Sequence, residues 1–171
     1  MSRRVPIEIR QMALEDVQAV VDLGNALFTS KKAPTLYRCW EETEALRLYT
    51  TSPETCLVAS REGTVVGFAL GTLLAKPGSP WKYGWLDWLG VARSCKRQHV
   101  AQRLVKQLQQ RFVTQEVRIM LVNTYEGNKP ALGFFRKFGF GHEIKHVYMS
   151  LNLDNQLRSV ERHFRVKAFA G

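Results

Sequence analysis

Cysteine is scarce in this 171-residue chain, which has only Cys39, Cys56 and Cys95. The number is odd and no C-x-x-C pair occurs. That excludes a disulfide-framed mini-domain and points to free thiols in a reducing compartment. Histidine is almost as sparse: His99, His142, His146 and His163 have no partners at metal-ligand spacing, so no metal site is expected. H-E-x-x-H, G-x-S-x-G, the Walker lysine loop and G-x-G-x-x-G are all missing. So is a basic-aromatic RNA-binding strand signature. No apolar run approaches the ~20 residues that span a bilayer, and the first residues lack the apolar stretch of a secretory signal. The expectation is a cytoplasmic protein with no membrane partner.

What is present suits a single globular domain. Hydrophobic residues make up 45% and charged residues 23% of the chain, both ordinary values. Lys and Arg together number 25 against 15 Asp and Glu, giving a formal net charge of +10. Such a balance attracts anions: nucleic acid, an acidic membrane face, an acidic protein or a phosphate-rich cofactor. Charge alone does not choose among them.

Hydrophobic periodicity divides the chain into elements. Val5, Ile7 and Ile9 alternate with polar residues and predict a first strand. Leu14, Val17, Val20, Val21, Gly24, Leu27 and Phe28 recur at helical spacing. Residues 30–34 form a polar break, and 37–49 predict a second amphipathic helix. Three strands should follow in a row, over 55–61, 65–73 and about 83–91, with a Glu62-Gly63 turn and a loop over 75–80 between them. Val100, Leu104, Leu108 and Phe112 mark a helix over 99–114. Residues 117–123 read as a strand, and Ala131, Phe134, Phe135 and Phe138 mark a short helix opened by Pro130 and stopped by Gly139. Val147, Met149, Leu151 and Leu153 alternate and predict a last strand. The order mixes antiparallel hairpins with one β-α-β crossover. It predicts an α/β fold, a three-layer sandwich of helices around a mixed, largely antiparallel sheet. Residues 1–153 form that domain; 154–171 are a basic tail with helical spacing.

One segment could bind an anion. A buried strand ends at Val91, a loop carries Arg93, Lys96 and Arg97, and a helix begins near His99. Helix N-termini present unpaired amides and partial positive charge, and so favour phosphate. A solvated basic loop would use the same residues.

A second segment decides between these readings. Residues 128–140, NKPALGFFRKFGF, resemble the pattern N-x-x-A-x-x-F-Y-x-K-x-G-F of the GNAT acetyltransferase superfamily. They match at Asn128, Ala131, Phe134, Lys137, Gly139 and Phe140, with Phe135 in place of the tyrosine. The earlier segment then resembles the family's acetyl-CoA loop, Q/R-x-x-G-x-G/A, with Lys96 first, His99 at the first glycine and Ala101 last. The likeness spans most of the chain but not 154–171. It implies a mixed sheet and acetyl-CoA as acetyl donor. The pyrophosphate would rest on the amides of Arg97, Gln98, His99, Val100, Ala101 and Gln102, beside Lys96. The pantetheine arm would run along Leu89, Gly90 and Val91, with Asn128 near the thiol end and Phe135 packed on the cofactor. His99 has a Cβ where the family keeps glycine; a helical φ there would still permit binding.

The reaction this implies is attack of a neutral amine on the acetyl thioester in a ternary complex. It needs a base, an oxyanion donor and a leaving thiolate. Asp87, in the strand leading to Val91, is the candidate base, because carboxylates on this strand serve so in family members. Flanking tryptophans would desolvate it. Paired with a cation, it would be merely structural. Glu126 and His146 are weaker bases. The Leu89 or Val91 amide could meet the oxyanion. Phe135 cannot act as an acid; Tyr125 or Tyr148 could. Trp81, Tyr83, Trp85 and Trp88 are either core residues or the walls of an acceptor pocket. The acceptor is a peptide, protein or small-molecule amine, the peptide or protein amine preferred, on a monomer or homodimer. Two other classes stay open: a non-catalytic acyl-CoA binder and a basic nucleic-acid-binding module.

Overall fold

A computed structural model describes residues 5–29, 40–147, 149, 151 and 153. The chain divides into two units, Met1–Phe140 and Gly141–Gly171. In the first, the order is β1 (Glu8–Gln11), α1 (Val17–Leu27), α2 (Glu42–Thr51), β2 (Cys56–Arg61), β3 (Thr64–Ala75), β4 (Lys82–Val91), α3 (Val100–Thr114), β5 (Val117–Val122) and α4 (Lys129–Lys137). The five strands lie in sequence order across one sheet. Every neighbouring pair is antiparallel except β4 and β5, which are parallel and joined through α3.

The three layers follow from side-chain alternation. Leu57 and Ala59 of β2 enter a cluster with Ala69, Leu86 and the buried face of α3, namely Val100, Leu104, Val105, Leu108 and Phe112. Cys56 and Val58 enter the opposite cluster with Phe68, Leu70 and Trp88, beneath Val20, Val21, Ala45 and Leu48 of α1 and α2. A strand buried on both faces reads as a continuous apolar run. Helix α3 approaches closely because Gly84 lacks a Cβ; one built there would stand 2.7 Å from the Phe112 ring.

Element ends depart from periodicity for local reasons. Strand β1 starts at Glu8, the first residue paired to β2, opposite Ser60; Ile7 is buried just before it and Val5 is exposed. Helix α2 begins at Glu42, with Glu42 and Glu44 in its first turn, where carboxylates favour the helix dipole. It runs past Tyr49 to Thr51, since the Thr50 and Thr51 hydroxyls donate to the Arg47 carbonyl. Pro53 then restricts Ser52 away from helical geometry. Residues 37–39 of the expected second helix lie outside the described residues. Helix α4 is capped by Asn128, whose side-chain oxygen accepts from the Ala131 amide at 3.3 Å. It is stopped at Gly139, with φ +100°.

The strand predicted over 147–153 is corrected. Residues 147, 149, 151 and 153 lie in no strand or helix, and Val147, Met149, Leu151 and Leu153 are exposed. Alternation supplies an apolar face; a strand also needs a hydrogen-bonding partner, and none is seen among the described residues. The tail 154–171 lies outside the described residues.

Candidate acyl-CoA site

Strand β4 changes character midway. Lys82 to Leu86 pair with β3 on one side and β5 on the other, the last β5 partner being Leu86 with Val122. Among the described residues, β4 from Asp87 onward pairs with β3 alone. The Ala92 amide donates to the Val66 carbonyl at 2.8 Å. Antiparallel alternation therefore turns the amides and carbonyls of Leu89 and Val91 away from β3. They form an open backbone edge, able to pair with an extended amide-bearing chain.

A β-bulge sits at the transition. Leu70 pairs with Trp88 and Gly71 with Leu86, leaving Asp87 as the extra residue. Bulges re-aim side chains beside functional sites. Here the result is that Asp87 reaches Thr72, whose hydroxyl donates to Oδ2 at 2.8 Å. Asp87 is half-buried. The Arg47 guanidinium is held above its ordinary value, first by its hydrogen bond to Glu44 and in smaller part by the field of Asp87. Glu44 also accepts from the Trp88 indole at 2.9 Å. Thus α2 presents a carboxylate and a guanidinium toward the bulge.

Beyond Val91 the chain makes a 3-10 turn, Arg93–Cys95, and enters α3 through Arg97 and His99. Both residues have left-handed backbone, φ +62° and +57°. At His99 the backbone is thus left-handed, not helical: the loop takes the shape glycine would adopt, at a steric cost of roughly 1–2 kcal/mol for a residue with a Cβ. The first intrahelical bond runs from the Arg103 amide to the His99 carbonyl, leaving Val100, Ala101 and Gln102 amides without acceptors in the helix. Lys96 and Arg97 are exposed beside them. The His99 Nδ1 lies 2.7 Å from the Gln102 Oε1, and Gln98 donates to the Ser94 carbonyl.

The other candidates divide. Phe135 is buried in the cluster that includes Leu89 and Val91, its ring against Phe134 and Phe140. Asn128 is occupied as the α4 cap and donates to Thr124 Oγ1. Tyr125 is exposed, His146 lies in the second unit, and Tyr148 lies outside the described residues. The four β4 aromatics have different surroundings. Trp88 packs against Phe28 and Trp40, centroids 5.1 Å apart in each case. Trp85 has a buried indole N–H with no acceptor among the described residues, Tyr83 lies under Lys76, and Trp81 is half exposed. Burial pushes the Cys56 thiol up to about 12, which removes it as a nucleophile. Among the described residues no His, Cys, Asp or Glu cluster could hold a metal, and no helix is long and apolar enough to cross a membrane. Sequence reasoning did not find Thr72, Arg47 or the Phe28–Trp40 aromatic group. Only the register of β3 on β4 reveals the first.

An open backbone edge running into a cationic helix N-terminus can hold a thioester arm at one end and phosphates at the other. Residues 20–140 match the Acetyltransferase (GNAT) family. The chain belongs to that family, whose members are acetyl-CoA-dependent acetyltransferases. No curated protein matches it. Among solved structures it is similar to the aminoglycoside N-acetyltransferase AAC(6')-Iy in complex with CoA, with a TM-score of 0.68 and 16% identity over 89% of this chain and 99% of that one. A transcriptional regulator from Bacillus halodurans C-125 gives a TM-score of 0.68 and 15% identity over 85% and 100%. Ard1 from Thermoplasma volcanium gives 0.65 and 22% over 82% and 86%. At these identities the likeness concerns the fold.

Proposed function

We propose that the protein transfers an acetyl group from acetyl-CoA directly to a primary amine in a ternary complex. The observation that carries this reading is β4 leaving β5 at the Asp87 bulge and running, singly paired, into the left-handed loop before α3. The Leu89 and Val91 backbones take the pantetheine amides. The amides of Arg97, Gln98, His99, Val100, Ala101 and Gln102, with the Lys96 and Arg97 charges, take the pyrophosphate. The donor supplies an activated carbonyl with a thiolate leaving group. Asp87 accepts the proton of the attacking amine, directly or through one water, with Thr72 fixing its carboxylate. As the C–N bond forms and the C–S bond breaks, the Leu89 or Val91 amide meets the charge on the carbonyl oxygen. A thiol pKa of roughly 8.5 lets the thiolate depart without a side-chain acid, consistent with phenylalanine at 135. Phe135 and Asn128 support the thiol end through packing and through the α4 cap.

The acceptor is an amine of a peptide, a protein or a small molecule, with the peptide or protein amine placed first. Calorimetric titration with acetyl-CoA should show micromolar binding. Lys96→Glu with Arg97→Glu should weaken it by about a hundredfold. An amine panel of N-terminal peptides, lysine peptides and aminoglycosides, read by thiol release, then identifies the acceptor class. No binding at millimolar acetyl-CoA would refute the reading. Binding without acetylation of any amine would favour the non-catalytic acyl-CoA binder, to which the missing tyrosine at 135 points.

A further inference from the structure

We propose that Arg61, at the end of β2, is a positioning residue for the phosphate loop, holding it in its left-handed shape through Gln98. The inference rests on the reading of that loop as the coenzyme A phosphate site. Arg61 Nη2 donates to Gln98 Oε1 at 2.6 Å, across 37 residues of sequence. Gln98 Nε2 in turn donates to the Ser94 carbonyl at 3.1 Å. Both ends of one amide are therefore used, and they tie the rim of the sheet to the backbone of the loop.

Gln98 stands between Arg97 and His99, the two residues at positive φ. No glycine occurs from Ala92 to His99, so nothing in this stretch adopts that shape without cost. Disfavoured backbone persists only where its surroundings over-determine it. The Arg61–Gln98–Ser94 chain supplies that constraint, doing by hydrogen bonding what a glycine would do by conformational freedom. Arg61 Nε is buried and finds no acceptor among the described residues, a penalty against which the contact to Gln98 is set. Once the loop is fixed, the amides from Arg97 to Gln102 converge without ordering on binding, which favours affinity.

The test is acetyl-CoA titration of the wild type, Arg61→Met, Gln98→Leu and the double variant. Each single change should weaken binding by about tenfold, the scale of one hydrogen bond to a charged group. The double variant should be weaker than either single by no more than about threefold, because both remove the same tie. With an acceptor that turns over, Arg61→Met should raise the KM for acetyl-CoA and leave kcat within about twofold. Should Arg61→Met fail to fold, Gln98→Leu carries the test: it removes the same tie from the other end, and affinity within about twofold of the wild type there would overturn the proposal. Wild-type affinity in Arg61→Met would overturn the proposal. So would additive penalties, which mean that Arg61 meets the phosphates independently of Gln98. If the wild type itself does not bind acetyl-CoA, the coenzyme reading falls and this proposal with it. A binding wild type beside an unaffected variant removes the tie alone.

Discussion

The two halves of β4 differ in what they are for. The first, Lys82 to Leu86, is hydrogen-bonded on both edges. It is sealed by the Phe112 ring over Gly84. The second, from Asp87 to Val91, begins with a bulge, pairs with one strand among the described residues and leads into a loop with two left-handed residues. The first half is paired on both edges, its exceptions being a register shift against β5 at Lys82–Tyr83 and the Trp85 indole N–H, which has no acceptor among the described residues. The second breaks one local rule after another, and such breaks gather at functional sites. A sheet can bind an extended ligand only where it leaves its own edge incomplete. Stability and function are thus divided along a single strand, and the division can be tested.

The largest effect should come from the first half. Phe112→Ala removes a buried ring that covers Gly84 and should destabilise the fold by about 4 kcal/mol. That lowers the melting midpoint by roughly 8–16 °C. Well below the new midpoint, acetyl-CoA affinity measured by calorimetry should stay within about threefold. Loss of binding at unchanged melting would break the division between the two halves.

The next effect belongs to the second half and should leave stability nearly untouched. Asp87→Asn keeps an oxygen for the Thr72 hydroxyl but removes the base. On the reading above, kcat should fall about a hundredfold, with melting within a degree or two and acetyl-CoA affinity little changed. A kcat retained within a few-fold would reassign Asp87 to a structural role beside Arg47.

The alternation of apolar residues made most of the fold legible, because burial on one or two faces leaves a periodic mark. Strands β2 to β5 and α3 lie close to their expected bounds. The strand expected over 147–153 shows the limit: alternation reports a face and says nothing about a partner. At the site, the cationic loop and the α4 pattern could be read because their residues are consecutive. The bulge could not, since it exists only in the register of β4 on β3. Thr72 and Arg61 were invisible for the same reason, as each meets its partner from another strand. The aromatic group of Phe28, Trp40, Phe68 and Trp88 likewise joins distant elements. Its members seemed unrelated along the chain.

The smallest effect separates loop shape from side-chain chemistry at His99. Replacing His99 by glycine or by alanine deletes the contact to Gln102 equally in both cases. The two variants then differ chiefly in backbone preference. Alanine retains the steric conflict of a Cβ at φ +57°, roughly 1–2 kcal/mol. Glycine relieves it but gives back about 0.5–1 kcal/mol in unfolded-chain entropy. The glycine variant should therefore be the more stable by about 0.5–1 kcal/mol in denaturant unfolding, and it should bind acetyl-CoA at least as tightly as alanine. An alanine variant equal to or above glycine would mean that residue 99 is not held left-handed. The contrast between a regular and a strained half of the β4–loop segment would then end at Val91, before the phosphate loop.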